Sequence, residues 1–263
     1  MLDPEEAVSV EAAYGVPAAQ VHLDHMISHI LGAIAGLDQP LTFFGGTALA
    51  RTHLADPAAG GRLSEDIDLY SSARPEVAAT LDQHLPRLLR REFPRAHWDP
   101  PLSAVRAVEP GHLISEDGVR VRIQLLDSQN SHHDLAHWPT EIRTVHLRYS
   151  DTTGSAQLRV PTLPAAAAMK TAAWIDRKAA RDLYDLAGLA RVGALTNEAA
   201  TLFRHATGLR ITPHMFDRLP ALEWETQLAH QTRHLPPAQH CLVEVREAYA
   251  MALGWSPPED TYN

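Results

Sequence analysis

Residues 42–70, TFFGGTALARTHLADPAAGGRLSEDIDLY, contain the turn and the strand that decide the fold of this chain. The apolar run LTFF ends in Gly45 and Gly46, and the helix-forming sequence TALARTHL follows. This order predicts a strand, a tight turn and a helix. The segment DPAAGGRLS is rich in proline and glycine and is expected to be a loop. EDIDLY then alternates acidic and apolar residues, which predicts a strand with one polar face.

The turn after the first strand could bind an anion. Gly45 and Gly46 permit backbone conformations and close approaches that a Cβ atom would block. A helix N-terminus at this point would offer free peptide N–H groups to a phosphate. Thr47 adds a hydroxyl group, either as a helix cap or as a phosphate ligand. Because a turn from strand to helix often needs glycine anyway, the turn alone leaves the structural and the functional explanation equally open.

Two aspartates on the second strand could bind a metal ion. Successive side chains of a strand point to opposite faces, so Asp66 and Asp68 share one face, with Ile67 and Leu69 on the other. Carboxylates about 6 to 7 Å apart along a strand repel each other unless a cation lies between them. Taken alone, such a pair is more often a solvated strand edge. Together with an anion-binding turn it predicts a site for a nucleoside triphosphate and its Mg²⁺, which favours carboxylate and phosphate oxygens.

The flanking sequence predicts helices packed on a small sheet. HLDHMISHILGAIAGL places apolar residues along one stripe. Residues 76–93 show a second amphipathic pattern, in which Pro86 indicates a kink or a break. GVRVRIQLLDS and IRTVHLRYS alternate as strands do. His22, His25 and His29 lie on the first helix at spacings that could suit a metal, but without a further ligand pattern we expect surface or helix-capping histidines.

The C-terminal part is predicted to be mostly helical. Its lysines are unusual, because Lys170 and Lys178 are the two lysines among 23 basic residues, which suggests that this segment needs an ammonium group. If residues 170–185 form one helix, four charged side chains and one tryptophan share an arc of about 80°: Lys170, Trp174, Arg177, Arg181 and Asp185, with Lys178 at the edge and Asp182 farther round. A turn near residues 176–179 is an equally open alternative. Three later runs are also predicted as helices: TNEAATLFRHATG, TPHMFDRLPALEWETQLAHQ and PAQHCLVEVREAYAMALG.

Composition excludes several classes of protein. The net charge of −9 lacks the basic excess of a protein that binds nucleic acid through phosphates alone, so a polyanionic partner would have to meet a local patch. No apolar run approaches the roughly 20 residues of a membrane span, and the acidic N-terminus differs from a signal peptide. We therefore expect a cytoplasmic protein that does not bind membranes. The single cysteine, Cys241, is expected to be a small core residue.

Four motifs in this order resemble the AbiEii and MenT toxins, which are nucleotidyltransferases of the DNA polymerase β superfamily. The motifs are GGTAL at residues 45–49, RLSEDIDL at 62–69, MKTAA at 169–173 and RKAARDLYDL at 177–186. The resemblance spans residues 42–190. With the patterns above, it implies an α/β (α+β) fold: a small mixed sheet of nucleotidyltransferase type with packed helices, then a mostly helical part. We expect a nucleotidyltransferase domain at residues 1–158 and a helical domain at 159–263 that completes the active site.

The resemblance also implies roles for individual residues. Asp66 and Asp68 correspond to the metal ligands, for Mg²⁺ or alternatively Mn²⁺. Lys170 corresponds to the residue that contacts the nucleotide, and Asp185 would orient Lys170 or activate the attacking hydroxyl. The other nucleotide-binding and acceptor-side positions are Gly45, Gly46, Thr47 and Ser64, and Arg177, Lys178, Arg181 and Asp182.

One departure from the superfamily pattern concerns the third carboxylate, which many members place on a later strand. Gln124 occupies the polar face of the strand VRVRIQLL. Asp127 lies just past this strand, at a position that alternation assigns to the opposite face. The third ligand therefore stays unassigned at this point. Asp185, or less favourably Asp182, could supply the missing acid.

The function that the resemblance implies is transfer of a nucleoside monophosphate from an NTP to an acceptor. In MenT-like toxins the acceptor is the 3′ end of tRNA, and an antitoxin protein is the cognate partner. One alternative is transfer to a small molecule or a protein hydroxyl, which the acidic net charge favours. A second is a non-catalytic nucleotide-binding protein on the same scaffold, against which the intact Asp66, Asp68 and Lys170 argue.

Overall fold

The computed structural model describes residues 2–56, 61–128, 137–152 and 155–255. The helices are α1 (Pro4–Tyr14), α2 (Ala18–Gly36), α3 (Gly45–Arg51), α4 (Arg74–Leu89), α5 (Leu163–Arg177), α6 (Ala180–Arg191), α7 (Asn197–Thr207), α8 (Trp224–Leu228) and α9 (Ala238–Leu253). The strands are β1 (Thr42–Phe44), β2 (Asp66–Tyr70), β3 (His97–Trp98), β4 (Gly111–Ile114), β5 (Arg120–Leu126), β6 (Thr140–Val145) and β7 (Ala156–Pro161). Short 3₁₀ turns lie at Leu102–Ala104 and Pro213–Phe216.

The chain divides into two structural units. The first comprises the chain up to Thr162 together with Ala229–His234, and the second comprises the remainder. The first unit contains all the strands of the described residues, and the second is helical. The α/β class with a helical C-terminal part, predicted from the sequence, is therefore confirmed.

The first unit is built on a mixed five-stranded sheet. The strand order is β1-β2-β5-β4-β3, with β2 and β5 parallel and the other neighbours antiparallel. Strands β6 and β7 form a separate antiparallel pair. One face of the larger sheet is apolar, because alternate residues of β2 and β5 are fully buried with the apolar stripe of α2 and with α4. Each large apolar side chain buried in this core contributes about 1.5 to 3 kcal/mol to folding.

Several local predictions are confirmed. The strand, turn and helix predicted from TFFGGTALARTHL are β1 followed directly by α3, and EDIDLY contains β2. Cys241 on α9 is a fully buried free thiol, as expected for a small core residue. Of the kink or break predicted at Pro86, the break is wrong, because helix α4 continues across this residue to Leu89. The loop predicted from Asp56 includes residues 57–60, which lie outside the described residues.

Two helical predictions are wrong. Residues 170–185 do not form one helix, because α5 ends at Arg177 and α6 begins at Ala180. Lys178 between them has φ +51°, a left-handed conformation that ends a helix, so the alternative of a turn is correct. The run at residues 212–231 forms only a 3₁₀ turn and the five-residue α8. Two prolines in this run, Pro213 and Pro220, limit helix continuation.

The histidines of α2 also differ from expectation. His22 is exposed, as predicted, but His25 is only 4 % exposed and His29 is half-buried. The expectation of surface or capping histidines is therefore wrong for His25, because its ring packs against Phe93 and Tyr149. Among the described residues, no helix is both long enough and apolar enough to cross a membrane.

Candidate functional site

The polar face of the central sheet carries both predicted metal aspartates. In the parallel register of β2 and β5, Asp66 lies beside Arg122 and Asp68 lies beside Gln124. These four side chains are partly exposed, whereas the intervening Ile67 and its neighbours on β5 are buried in the core. The alternation predicted from EDIDLY therefore places the two carboxylates on the face that α2 and α4 do not cover.

Gly45 makes the close approach that lets Asp68 occupy this position. The antiparallel register of β1 and β2 pairs Phe44 with Asp68, so the turn begins directly beside this carboxylate. Gly45 has φ +82°, and a Cβ atom placed on it would lie 2.2 Å from Oδ2 of Asp68. Glycine is required here for both conformation and space. The turn and the aspartate strand, separate in sequence, are thus one structural feature.

Thr47 connects the same turn to β2. Its side chain is almost fully buried, and its hydroxyl donates a short hydrogen bond to the backbone carbonyl of Asp66. This bond holds α3 against β2, so the helix-capping role considered for the hydroxyl is not observed. Gly46, the second residue of α3, is half-buried.

The far end of α3 is held by a buried ion pair that sequence analysis missed. Arg51, the last residue of α3, donates to the carboxylate of Asp24 at 2.7 Å and to the hydroxyl of Ser28 at 2.6 Å. Burial lowers the pKa of Arg51 to about 10, and the charge of Asp24 opposes this shift, so the guanidinium remains charged at neutral pH. The short helix that follows the glycine turn is therefore anchored to α2.

The segment before β2 is supported by residues from much later in the chain. Gln231 accepts a bond from the backbone N–H of Leu63 at 2.9 Å and its side chain accepts one from Arg62, which also donates to Ser64 at 3.3 Å. His230 pairs with Glu65 at 2.9 Å, across 165 residues of sequence. Ser64, predicted to bind nucleotide, is largely buried in this arrangement. No local sequence signal could have identified His230 or Gln231.

Arg122 is a further site residue that the sequence analysis did not name. Its Nη1 atom lies 3.1 Å from Oδ2 of Asp66, and both side chains are partly exposed. The pair supplies a positive charge beside one of two neighbouring carboxylates. The alternating sequence GVRVRIQ contained a signal for it, because a parallel pairing with EDIDLY puts an arginine on the same face as the aspartates.

In the second unit, Lys170 lies in a buried cluster of charges. Its Nζ atom is 2.7 Å from the carboxylate of Asp185 and 3.1 Å from that of Asp182. Arg177 makes a bidentate ion pair with Asp182, in which Nε donates to Oδ2 at 2.6 Å and Nη2 donates to Oδ1 at 2.9 Å. Burial raises the pKa of Asp182, but the charge of Lys170 and the contacts with Arg177 outweigh it, so the net pKa is below the ordinary value. The break between α5 and α6 allows these residues to meet.

The other two cations near the break have different environments. Lys178 lies over the ring of Trp174, 4.7 Å from its centroid, and donates to the carbonyl of Met215. Trp174 itself is fully buried. Arg181, on the first turn of α6, is half-buried. Because α5 and α6 are separate helices, the single helix face predicted for these charged residues does not form. Lys170, Arg177 and Asp185 nevertheless belong to the same cluster of ion pairs.

Comparison with known proteins decides the family. The chain matches the model of the nucleotidyl transferase AbiEii toxin family of type IV toxin–antitoxin systems over residues 29–253. It belongs to this family. The resemblance predicted from the four motifs is therefore confirmed, and the AbiEii-family protein is a nucleotidyltransferase. Membership implies an NTP substrate, a divalent metal and an antitoxin partner.

Solved structures agree with this assignment at the level of the fold. MenT4, a nucleotidyltransferase toxin from Mycobacterium tuberculosis H37Rv, is 19 % identical, with 96 % of this chain and 88 % of that chain covered and a TM-score of 0.66. JHP933 from Helicobacter pylori is 14 % identical, with 90 % and 93 % covered and a TM-score of 0.54. No curated protein sequence matches the chain.

Beside Asp68, strand β5 of this AbiEii-family protein carries an amide. Gln124 lies beside Asp68 in register, and its side-chain nitrogen donates to the carbonyl of Val108 at 2.8 Å. Asp127 follows the end of β5. On the described parts of β2 and β5, the polar face therefore presents two carboxylates, those of Asp66 and Asp68.

The buried cluster around Lys170 leads to a prediction about stability. Asp182→Asn keeps the shape of the side chain but removes the charge that balances Lys170 and Arg177, so we expect a loss of about 3 kcal/mol in the free energy of unfolding. The pKa of Asp182 is lower in the folded protein than in the unfolded chain. Its carboxylate therefore adds to the free energy of unfolding above the unfolded-state pKa, near 3.9. This stabilisation is lost as the pH falls through the folded-state pKa. Urea unfolding at pH 7 and at pH 3 measures both effects.

The matched control for this substitution is Asp176→Asn, at an exposed position on α5. It should change the free energy of unfolding by less than about 0.5 kcal/mol. Equal stability of the two variants at pH 7 would contradict a stabilising role for the Lys170 cluster.

Proposed function

We propose that this AbiEii-family protein transfers a nucleoside monophosphate from an NTP to the 3′ end of tRNA in a Mg²⁺-dependent reaction that releases pyrophosphate. The observation that carries the proposal is the turn at Gly45, whose missing Cβ leaves space for the Asp68 carboxylate. A glycine turn that meets a metal-type carboxylate is an arrangement for a triphosphate and its cation, and family membership makes transfer the chemistry to expect.

The donor set fits a magnesium ion. Asp66 and Asp68 are hard oxygen ligands on one face of β2 and are both partly exposed. Arg122, which contacts Asp66, can turn to a phosphate oxygen instead, since its side chain is also partly exposed. When bound, Mg²⁺ supplies charge neutralisation at the phosphates and at the attacking hydroxyl. Mn²⁺ accepts the same oxygen ligands.

The remaining nucleotide contacts come from the glycine turn before α3 and from the segment before β2. The backbone at Gly45, Gly46 and Thr47 offers N–H groups to the phosphates, and Ser64 contributes its hydroxyl. Thr47 acts mainly by holding the turn on β2, because its own hydroxyl donates to the Asp66 carbonyl. The positions of these groups are fixed before substrate arrives, which reduces the cost of organising the transition state.

Lys170 neutralises negative charge on the nucleotide, and Asp185 orients it. The 2.7 Å contact supports the orienting role for Asp185 over activation of the hydroxyl, because the carboxylate already holds the Lys170 ammonium in one position. Asp182 positions Lys170 and Arg177 in the same way.

The acceptor side consists of Arg177, Lys178 and Arg181. The side chain of Arg177 is 60 % exposed although it contacts Asp182, so a phosphate in solution can approach its guanidinium. These cations form a local basic patch on a chain with a net charge of −9. Contacts to tRNA phosphates would position the 3′ end but carry no sequence information.

Transfer to RNA can be tested directly with purified protein. We expect that one of the four α-³²P-labelled NTPs, incubated with total tRNA and Mg²⁺, labels an RNA band on a denaturing gel. The reaction forms a bond from the terminal hydroxyl to the α-phosphorus and breaks the α–β bond, so the label stays on the RNA and pyrophosphate leaves. Omission of Mg²⁺ with added EDTA should remove the band.

The matched control for the acceptor is tRNA whose terminal ribose has been oxidised with periodate. It lacks the 3′ hydroxyl but keeps its phosphates and shape, and it should accept no label. A band that persists on oxidised tRNA would refute 3′-end transfer. Label on protein, or on a small molecule with RNA unlabelled, would replace tRNA by the corresponding alternative acceptor.

A further inference from the structure

Helix α2 presents two histidines to one carboxylate. His25 and His29 are four residues apart, so their side chains lie on the same face of the helix. The Nε2 atom of His25 lies 3.0 Å from Oδ2 and 3.1 Å from Oδ1 of Asp151. Nε2 of His29 lies 3.2 Å from Oδ1 of Asp151 and 3.2 Å from Nε2 of His25. Two imidazole nitrogens and one carboxylate oxygen, each able to bind a metal, therefore lie within hydrogen-bond distance of one another.

Protons alone do not explain this arrangement. An ionised carboxylate is only an acceptor, and each Nε2 carries at most one hydrogen. If both histidines donate to Asp151, the contact of 3.2 Å between their Nε2 atoms brings two donors together. If one donates to the other, the lone pair of the acceptor His faces the carboxylate. Every distribution of two protons leaves one close contact without a hydrogen bond.

A single cation removes this conflict. In a tetrahedral zinc site with metal–ligand distances of about 2.0 to 2.1 Å, two ligand atoms are about 3.3 Å apart. Nε2 of His25, Nε2 of His29 and Oδ1 of Asp151 form a triangle with edges of 3.1 to 3.2 Å. Two histidines at i and i+4 on a helix are also a common zinc-binding arrangement. The triangle therefore has the size that one four-coordinate metal requires.

We propose that His25, His29 and Asp151 bind one transition-metal ion, Zn²⁺ by preference. Two imidazoles and one carboxylate form a borderline donor set that suits zinc better than magnesium, which prefers oxygen ligands. Three protein ligands leave a fourth position for water or another small ligand. The ion connects α2 to the segment that follows β6.

The surroundings suit a metal with a structural role. The rings of Phe93 and Tyr149 pack against His25, and Phe93 also contacts His29. These contacts restrict the imidazoles to one orientation and limit access of water. Next to His25, the carboxylate of Asp24 accepts a hydrogen bond from the hydroxyl of Tyr149 at 3.0 Å and another from the guanidinium of Arg51. The metal would therefore fix the same part of α2 that anchors α3.

This site is separate from the proposed catalytic metal. The apolar stripe of α2 packs on the apolar face of the sheet, whereas Asp66 and Asp68 project from the other face. The two sites also differ in ligand type, because the catalytic pair offers only carboxylate oxygens. A cation that binds at one site can thus be measured without the other.

Cobalt(II) is the probe that distinguishes the sites. The test uses the full-length chain with Asp66→Asn and Asp68→Asn, stripped of metal by a chelator, so that the catalytic aspartates do not compete. We expect one Co²⁺ per chain, visible absorption bands typical of a four-coordinate site, and displacement of Co²⁺ by one equivalent of Zn²⁺. In that background, His29→Gln should weaken binding by more than about 100-fold.

The matched control is His22→Gln, an exposed histidine on the same helix, which should bind Co²⁺ as the parent does. Absence of stoichiometric Co²⁺ and Zn²⁺ binding in the parent, or equal binding by His22→Gln and His29→Gln, would overturn the proposal. Circular dichroism checks the fold. If His29→Gln does not fold, the isosteric Asp151→Asn takes its place, and unchanged binding by that variant would equally overturn the proposal.

Discussion

Replacing Gly45 with alanine is expected to reduce nucleotidyl transfer by on the order of 10²-fold or more. Gly45 has φ +82°, which costs a residue with a Cβ atom roughly 1 kcal/mol. The larger effect is steric, because the new methyl group would lie 2.2 Å from Oδ2 of Asp68. Either the turn or the carboxylate must move by about 1 Å, and displacements of this size at a reacting centre reduce rates strongly. Initial rates of label transfer to tRNA measure the effect.

Gly118→Ala is the matched control for this substitution. Gly118 has φ +86°, nearly the same conformation, but a Cβ atom there meets nothing within 4 Å. Gly118→Ala should therefore lose only the roughly 1 kcal/mol of the conformational cost and keep its activity, whereas Gly45→Ala loses further stability through the clash and also loses activity. Full activity in Gly45→Ala would show that the close approach to Asp68 is not needed for transfer. An equal loss in Gly118→Ala would show that the effect arises from general destabilisation.

Local sequence patterns predicted the parts of the fold that are decided by neighbours in the chain. The alternation in EDIDLY was sufficient to put Asp66 and Asp68 on one face, because side-chain direction in a strand depends only on parity. The apolar stripe of α2 was equally clear. The turn and the aspartates were predicted to serve one site, but the contact of Gly45 with Asp68 was not predicted, since it depends on the register of β1 against β2.

The rest of the site depends on contacts between distant residues. Residues 229–234 belong to the first unit, and His230 and Gln231 support the segment before β2 from a part of the chain that was predicted as a helix. Arg51 could be recognised as buried only once its partners on α2 were known. Periodicity therefore predicts which face a residue occupies, but not which remote side chain it meets.

The helix break at Lys178 shows a different limit. The sequence DRKAARDL combines good helix formers with two aspartates, so propensity did not decide between one helix and a turn. The structure instead turns at Lys178, which lets Lys170 and Arg177 on α5 contact Asp182 and Asp185 on α6. Burial of this charge cluster outweighs a small difference in propensity. The helix propensity of these residues is a weak preference. A buried charge without its partner costs several times more free energy.

Asp68→Asn is expected to abolish measurable transfer, with a loss on the order of 10³-fold or more, because a catalytic metal contributes several kcal/mol to the transition state. The amide has the shape of the carboxylate, so the contact with Gly45 is kept. Stability should not fall, because the substitution removes repulsion between two neighbouring carboxylates. Transfer assays and thermal unfolding of the same preparation separate the two effects.

The same variant tests whether toxicity comes from transfer. As a member of a toxin family, the wild-type protein should arrest growth when its expression is induced in a bacterial host without the antitoxin, and Asp68→Asn should not. Asp38→Asn, an isosteric change at an exposed position, should arrest growth as the wild type does. If Asp68→Asn arrests growth at equal protein levels while transfer is lost, then toxicity depends on binding to a target rather than on catalysis.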